Sequence, residues 1–159
     1  MDEITQQEIW NDFLKEIRNQ EEIDFSEIKR NQNGNIPPWF TRRNNAETKL
    51  GVNIIDFANY PDTRNMPNAT NNKEIERRIQ IIIGSECRNL HSSDCPVVLI
   101  IYSDSNEIST PMMERILEAR KFDTILNTRI SEVYFVLSYE PDGMDGRHPY
   151  MRVRINLTD

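Results

Sequence analysis

Apolar residues in this chain recur at two different spacings, and the alternation between them lays out the fold. Ile9, Trp10, Phe13, Leu14 and Ile17 return at helical intervals behind Thr5 and Glu8, which stand at capping-box spacing. They predict an amphipathic first helix ending near Asn19. A short apolar group follows at Ile23, Phe25 and Ile28. Asn33-Gly34 is then a turn signal, and Pro37-Pro38 forces an extended backbone into Trp39 and Phe40. "TRRNNAETK" reads as a polar hairpin-like connection into a strand from Val52 to Phe57.

Pro61 to Asn72 is rich in asparagine and proline, which predicts a surface loop, with Asn71 or Asn72 able to cap the helix behind it. That helix carries Ile75, Ile79, Ile82, Ile83 and Leu90 on one stripe. "PVVLIIY", Pro96 to Tyr102, is a continuous apolar run of strand length, the mark of a strand covered on both faces at the centre of a sheet. Thr110-Pro111 has the form of a helix start, with Met112, Met113, Ile116 and Leu117 turned inward. Glu132 to Glu140 reads as another strand. Met151, Val153, Ile155 and Leu157 alternate with polar partners, as on a half-exposed edge strand. Helices interleaved with strands predict an α/β protein: a three-layer sandwich, with a mixed sheet and helices on both faces. At 159 residues the chain suits one domain, 1–159.

Charge narrows the function. Nineteen basic against 26 acidic residues leave a net charge of −7. Backbone binding to nucleic acid draws its affinity from neutralised phosphates, so this balance counts mildly against a dedicated nucleic-acid binder. It fits a soluble protein or one whose partner is basic; DNA or a basic protein is the partner expected. No stretch approaches the roughly 20 apolar residues of a membrane span. The acidic start "MDEITQQEIW" is unlike a signal peptide, so a cytoplasmic protein is expected. Two cysteines make no disulfide framework.

Five glycines are set in no G-x-G-x-x-G, P-loop or nucleophile-elbow pattern. Cys87, His91 and Cys95 fall at four-residue intervals, but structural zinc wants four ligands and Asp94 is a poor fourth. His148 lies in a loop with no nucleophile placed beside it. Acids offer more. Asp56 sits inside "GVNIIDF", Glu47 precedes it, and Asp62, Glu74, Glu76 and Glu86 follow. Two or three converging carboxylates can hold Mg²⁺ for phosphodiester hydrolysis. Strand alternation puts Asp56 on the face of Ile54, opposite Ile55 and Phe57. Asp56 is thus either a metal ligand or an acid at the strand's solvated rim.

The succession of first helix, "PPWF", polar hairpin, "GVNIIDF", loop, "NKEIERRIQIIIGSECRNL" and "PVVLIIYSD" resembles the restriction-endonuclease-like, PD-(D/E)XK, fold over roughly residues 5 to 140. The resemblance implies Asp56 as the acid of the second motif. With the neighbouring acids it gives Asp56 and Glu47 as candidate catalytic carboxylates, Asp56, Glu47 and Glu74 as candidate metal ligands, and Mg²⁺ as the cofactor if the enzyme is active. It also implies departures. Trp39 stands where the family has a metal-binding Asp, and Ala58 where it has the lysine or its substitute. Gln80 and Glu86 are the helix residues that could replace a lost group. Such a site should be inactive or very weak, since a lost metal ligand and a lost charge partner each cost orders of magnitude in rate. The expectation is a nuclease-fold domain with a degenerate site in a DNA-related or defence role. The alternative is an acidic inhibitor or immunity-type protein that covers a basic protein surface. A homodimer through exposed Trp39 and Phe40 is a third reading, beside the plainer one that Trp39 plugs the core.

Overall fold

The computed structural model describes residues 1–20, 25–31, 37–43, 48–67, 71–104, 108, 112–113, 115–116, 122–124, 128–137 and 151–155, with backbone alone for 16–20 and 151–155. Helix α1 spans Glu3–Gln20. Its cap lies three residues ahead of the predicted one: the Thr5 amide donates to Asp2 Oδ1 at 2.7 Å. That bond holds the Asp2 carboxyl below its usual range. Asp2 wins over Thr5 because a carboxylate also suits the positive end of a helix.

Three strands follow, β1 (Lys29–Arg30), β2 (Trp39–Arg42) and β3 (Lys49–Asp56), joined as an antiparallel meander. Helix α2 (Asn72–Asn89) then crosses to β4 (Val97–Ser103), which is parallel to β3. Asn71 caps α2, its Oδ1 accepting from the Glu74 amide at 3.1 Å. Strand β5 (Ile130–Leu137) lies parallel to β4, and β6 (Met151–Ile155) closes the far side antiparallel to β5. Among the described residues the sheet therefore has six strands in chain order, with the two-residue β1 at one edge and β6 at the other.

Alternation divides the core into two layers. Val52, Ile54, Val98, Ile100, Tyr134 and Val136 pack with Ile9, Trp10, Phe13 and Leu14 of α1. Phe57, Val97, Leu99, Ile101, Val133 and Phe135 pack with Ile75, Ile79, Ile82 and Ile83 of α2. The two helices thus cover opposite faces of the sheet. Val97 to Ile101 are fully buried, as a run apolar on both faces requires. Met113, Ile116 and Phe122 complete the layer on the α2 side; Thr110-Pro111 and Leu117 lie outside the described residues. No helix among the described residues is long and apolar enough to cross a membrane.

Trp39 corrects the expectation of an exposed aromatic pair. It is only 2 % exposed, inside the α1 layer, and its indole N–H donates to Gln6 Oε1 at 2.6 Å. Phe40, the next residue, faces the other way and lies under the Lys49 ammonium at 5.0 Å. A tryptophan at this strand position buries more apolar area than any other side chain could, and its one polar atom finds a partner.

Candidate functional site

A polar cleft lies along the second half of β3. Pairing with β2 runs from Lys49 to Val52 and stops there, the last partner being Trp39. The residues before Trp39 are Pro37 and Pro38, and proline has no N–H to give a ladder. Pro37 instead folds over Gly51, where a Cβ would stand 2.7 Å from the proline Cδ. Beyond this point a cavity of about 550 Å³ opens against β3. Ile54, Ile55 and Asp56 form its floor, Met1 and Gln6 one wall, and Tyr60, Asp62, Glu86 and Asn89 the other. The cavity straddles the strand, so it is reached from both layers.

The wall on the α2 side is built by the loop after β3. The Phe57 amide donates to Tyr102 O at 2.8 Å, which ends the strand; Thr63 and Arg64 amides then fold back onto Tyr60 O at 3.1 and 2.9 Å. Arg78, 5 % exposed, pins the far end of the loop by donating to the Met66 and Pro67 carbonyls. Its guanidinium lies over the Phe57 ring at 5.9 Å. A fixed loop holds Tyr60 against α2 without leaving it to rotamer freedom.

Glu86 is the buried acid of this wall, at 4 % exposure. Tyr60 Oη donates to its Oε1 at 3.0 Å and Asn53 Nδ2 to its Oε2 at 3.1 Å. Burial raises the Glu86 carboxyl above the usual range, these two donors work against that rise, and the Asp62 charge adds to it. The Tyr60 hydroxyl is raised as well, by burial first and by the Glu86 charge second. Ser85 donates to Asp62 Oδ2, and Arg88 reaches the same serine hydroxyl at 3.3 Å. A buried acid whose titration is displaced by burial and by a second acid, set in a cleft, marks a functional-site candidate.

Asp56 occupies the rim. It is half-buried at the last residue of β3, on the α1 face with Ile54. Its Oδ1 accepts from the Ala58 amide at 3.2 Å and its Oδ2 from Asn59 Nδ2 at 2.8 Å. Both bonds close the turn that follows, a local use of aspartate common at strand ends.

Of the carboxylates singled out in the sequence, Asp56, Asp62 and Glu86 line the cavity; Glu74 and Glu76, near the start of α2, do not. Glu47 lies outside the described residues. Among the described residues, no three of His, Cys, Asp and Glu stand close enough to hold a metal ion. Cys87 is buried beside the Thr128 hydroxyl at 3.2 Å, and Cys95 is buried beside Ser93, so neither faces the other's surroundings. Gln80 turns to the Asp123 backbone instead, donating to its carbonyl and accepting from its amide at 3.0 Å each. Tyr60 and Asn53 went unmarked as site residues in the sequence. Their only advance signal was position: Asn53 is polar within an apolar strand, on the face that α2 covers.

Compared with protein-family models, with curated proteins and with solved structures, the chain finds no match in any of the three.

Proposed function

We propose that this chain is a catalytically silent α/β binding domain whose cavity takes a basic group from a protein partner. One observation carries the reading. Asp56, Asp62 and Glu86 line one cavity, and no Lys, Arg or His lines it among the described residues. A carboxylate held at Glu86 is a buried charge with two neutral donors and an acidic neighbour. A guanidinium or ammonium entering the cavity would supply an opposite charge that no lining side chain provides. The overall charge of −7 draws such a partner from a distance and speeds encounter at low salt.

The restriction-endonuclease-like resemblance bears on the scaffold more than on the chemistry. In its favour stands the order of elements: helix, antiparallel strands, β3 ending in Asp56, helix and buried strand. Against catalysis stand Trp39, which is packed into the core, and Ala58, which gives its amide to Asp56. The reading is therefore a nuclease-like framework used for binding, in the manner of an inhibitor or immunity-type protein, rather than a Mg²⁺-dependent nuclease.

Two measurements test it. Titration of the labelled protein with acetyl-lysine methylamide and acetyl-arginine methylamide should move the amide signals of Asn53, Ile54, Asp56 and Tyr60, and the acetyl-glutamate counterpart should not. Affinity should rise with pH as Glu86 gives up its proton, because the cation competes with that proton. Incubation with linear and supercoiled DNA and with RNA, in Mg²⁺ and Mn²⁺, should give no cleavage. Cleavage abolished by Asp56→Asn would replace the binding reading with an enzymatic one.

A further inference from the structure

Among the described residues, the second half of β3 offers backbone as well as charge. Gly51 donates its amide to Pro96 O and Phe57 to Tyr102 O, both at 2.8 Å and both toward β4. The parallel ladder between them runs from Gly51↔Val97 to Asp56↔Tyr102. In a strand the peptide groups alternate sides with period two, so Asn53 and Ile55 also turn toward β4. Ile54 and Asp56 therefore turn their N–H and C=O groups the other way. On that side β2 has already ended at Trp39, and among the described residues no backbone group bonds to Ile54 there. What lies there is the cavity, which has Ile54, Ile55 and Asp56 as its floor.

We infer that this edge receives an extended basic segment of a partner protein as an added strand, continuing the line of β2 and running antiparallel to β3. The inference rests on the binding reading above and names its mode. An open strand edge supplies main-chain bonds to any extended peptide, and side-chain pockets on the two faces decide which peptide is accepted. Here the faces differ. The residue opposite Ile55 would project toward Tyr60, Asp62 and Glu86, where a lysine or arginine meets carboxylates. The residue opposite Ile54 would project toward Met1 and Gln6, where an apolar side chain fits. The expected ligand is an extended segment of alternating basic and apolar residues. Pro38, the next residue back from Trp39 along the line of β2, accepts from the Asn31 amide and stands beside Asn53. Among the described residues the open stretch is therefore Ile54 to Asp56, about 10 Å at strand rise, and the two residues opposite Ile54 and Asp56 make the ladder.

The phase of the ladder gives the test. The probe is an acetylated and amidated heptapeptide of alternating valine and lysine, titrated against the whole chain and followed by amide signals and hydrogen exchange. It should bind and slow exchange at the Ile54 amide, and its glutamate-for-lysine counterpart should not bind. N-methylation of the valines removes the N–H groups that face β3 and should weaken binding about tenfold or more. N-methylation of the lysines touches only outward groups and should leave affinity within about threefold, the scatter expected when no bond is lost. Equal binding of both methylated peptides, with no protection at Ile54, would overturn strand addition and leave the cation reading standing. If the peptide fails to bind while acetyl-lysine methylamide still titrates the cavity, strand addition is also overturned. If neither binds, both readings fall.

Discussion

Along β3 the first four residues and the last four have the same apolar character but different neighbours. Lys49 to Val52 are closed by β2, with Trp39 set against Val52. Asn53 to Asp56 keep β4 on one side, and from Ile54 on they face the cavity on the other. Leu50 and Val52 in the first half, and Ile54 in the second, enter the same core. Nothing intrinsic to those residues separates a paired edge from an open one. The difference is made elsewhere: by two prolines that end β2, and by an acid on α2 that lies 33 residues beyond Asn53. Asymmetry along a strand can thus be imposed wholly by its neighbours.

The largest effect should come from the element both halves share. Leu99 is fully buried opposite Asn53. Leu99→Asp places an unpaired charge in that layer at a cost of several kcal/mol, comparable with the whole stability of an ordinary domain. The variant should show no cooperative melt by circular dichroism. A melt like the parent's would contradict the central place of β4.

Gly51→Val strikes the closed half alone. Its side chain would meet the Pro37 ring, with Val97 behind it at 3.4 Å. Overpacking of this kind costs about 1–3 kcal/mol, seen as a lower urea midpoint at constant slope. If Pro37 gives way and the end of β2 lifts, the open edge lengthens. The valine–lysine peptide should then bind at least as well as it does to the parent. Weaker binding would mean that the Pro37 corner helps to shape the cavity.

These cases show what could be read from the chain in advance. Ile75, Ile79, Ile82 and Ile83 announce α2, and Val97 to Ile101 announce a central strand, because burial leaves a periodic or unbroken apolar mark. Asp56 was legible as an acid at the end of a strand. The pairing of Glu86 with Tyr60 and Asn53 was not, since contact between residues 26 and 33 positions apart depends on how α2 lies on the sheet. Burial of Glu86 was hidden for the same reason: a polar residue on a helix reads as solvent-facing until the loop that covers it is known. Asp2 displaced Thr5 as the cap because several polar residues in succession offer several starts to one helix.

Glu86→Gln sharpens the comparison from the open side. The folded carboxyl is raised above its unfolded value, so the native state binds the proton more tightly. Its contribution to stability is present below the unfolded value and lost as pH rises through the raised one. The parent should therefore lose stability between acid and neutral pH in a step that the glutamine variant lacks, and the variant should be the more stable of the two at neutral pH. Tyr60 is raised too, so a second loss is expected only at alkaline pH. An unchanged pH profile in Glu86→Gln would remove Glu86 as the titrating group. The same variant should bind the valine–lysine peptide more weakly, separating a gain in fold stability from a loss of recognition.

The smallest effect concerns Asp56. Its two bonds, from the Ala58 amide and the Asn59 side chain, are half-exposed and local. Asp56→Asn keeps one acceptor for the Ala58 amide and removes the charge, so stability should fall by about 0.5–1.5 kcal/mol at most, the ordinary worth of one such bond. Mg²⁺ gives a sharper test of what the residue is for. A cation bound by Asp56 and its neighbours would stabilise the fold by about 2.7 kcal/mol at a hundredfold excess over its dissociation constant. That amounts to several degrees in Tm for a chain of this length. A turn-closing rim acid predicts no such rise, because a single half-exposed carboxylate already engaged with an amide and an asparagine is a poor cage for a hard cation. Melting curves of the parent and of Asp56→Asn, each with and without Mg²⁺, should therefore superimpose within each pair. A metal-dependent rise present in the parent and lost in the variant would return Asp56 to the role of metal ligand, and the open half of β3 to the chemistry of a nuclease.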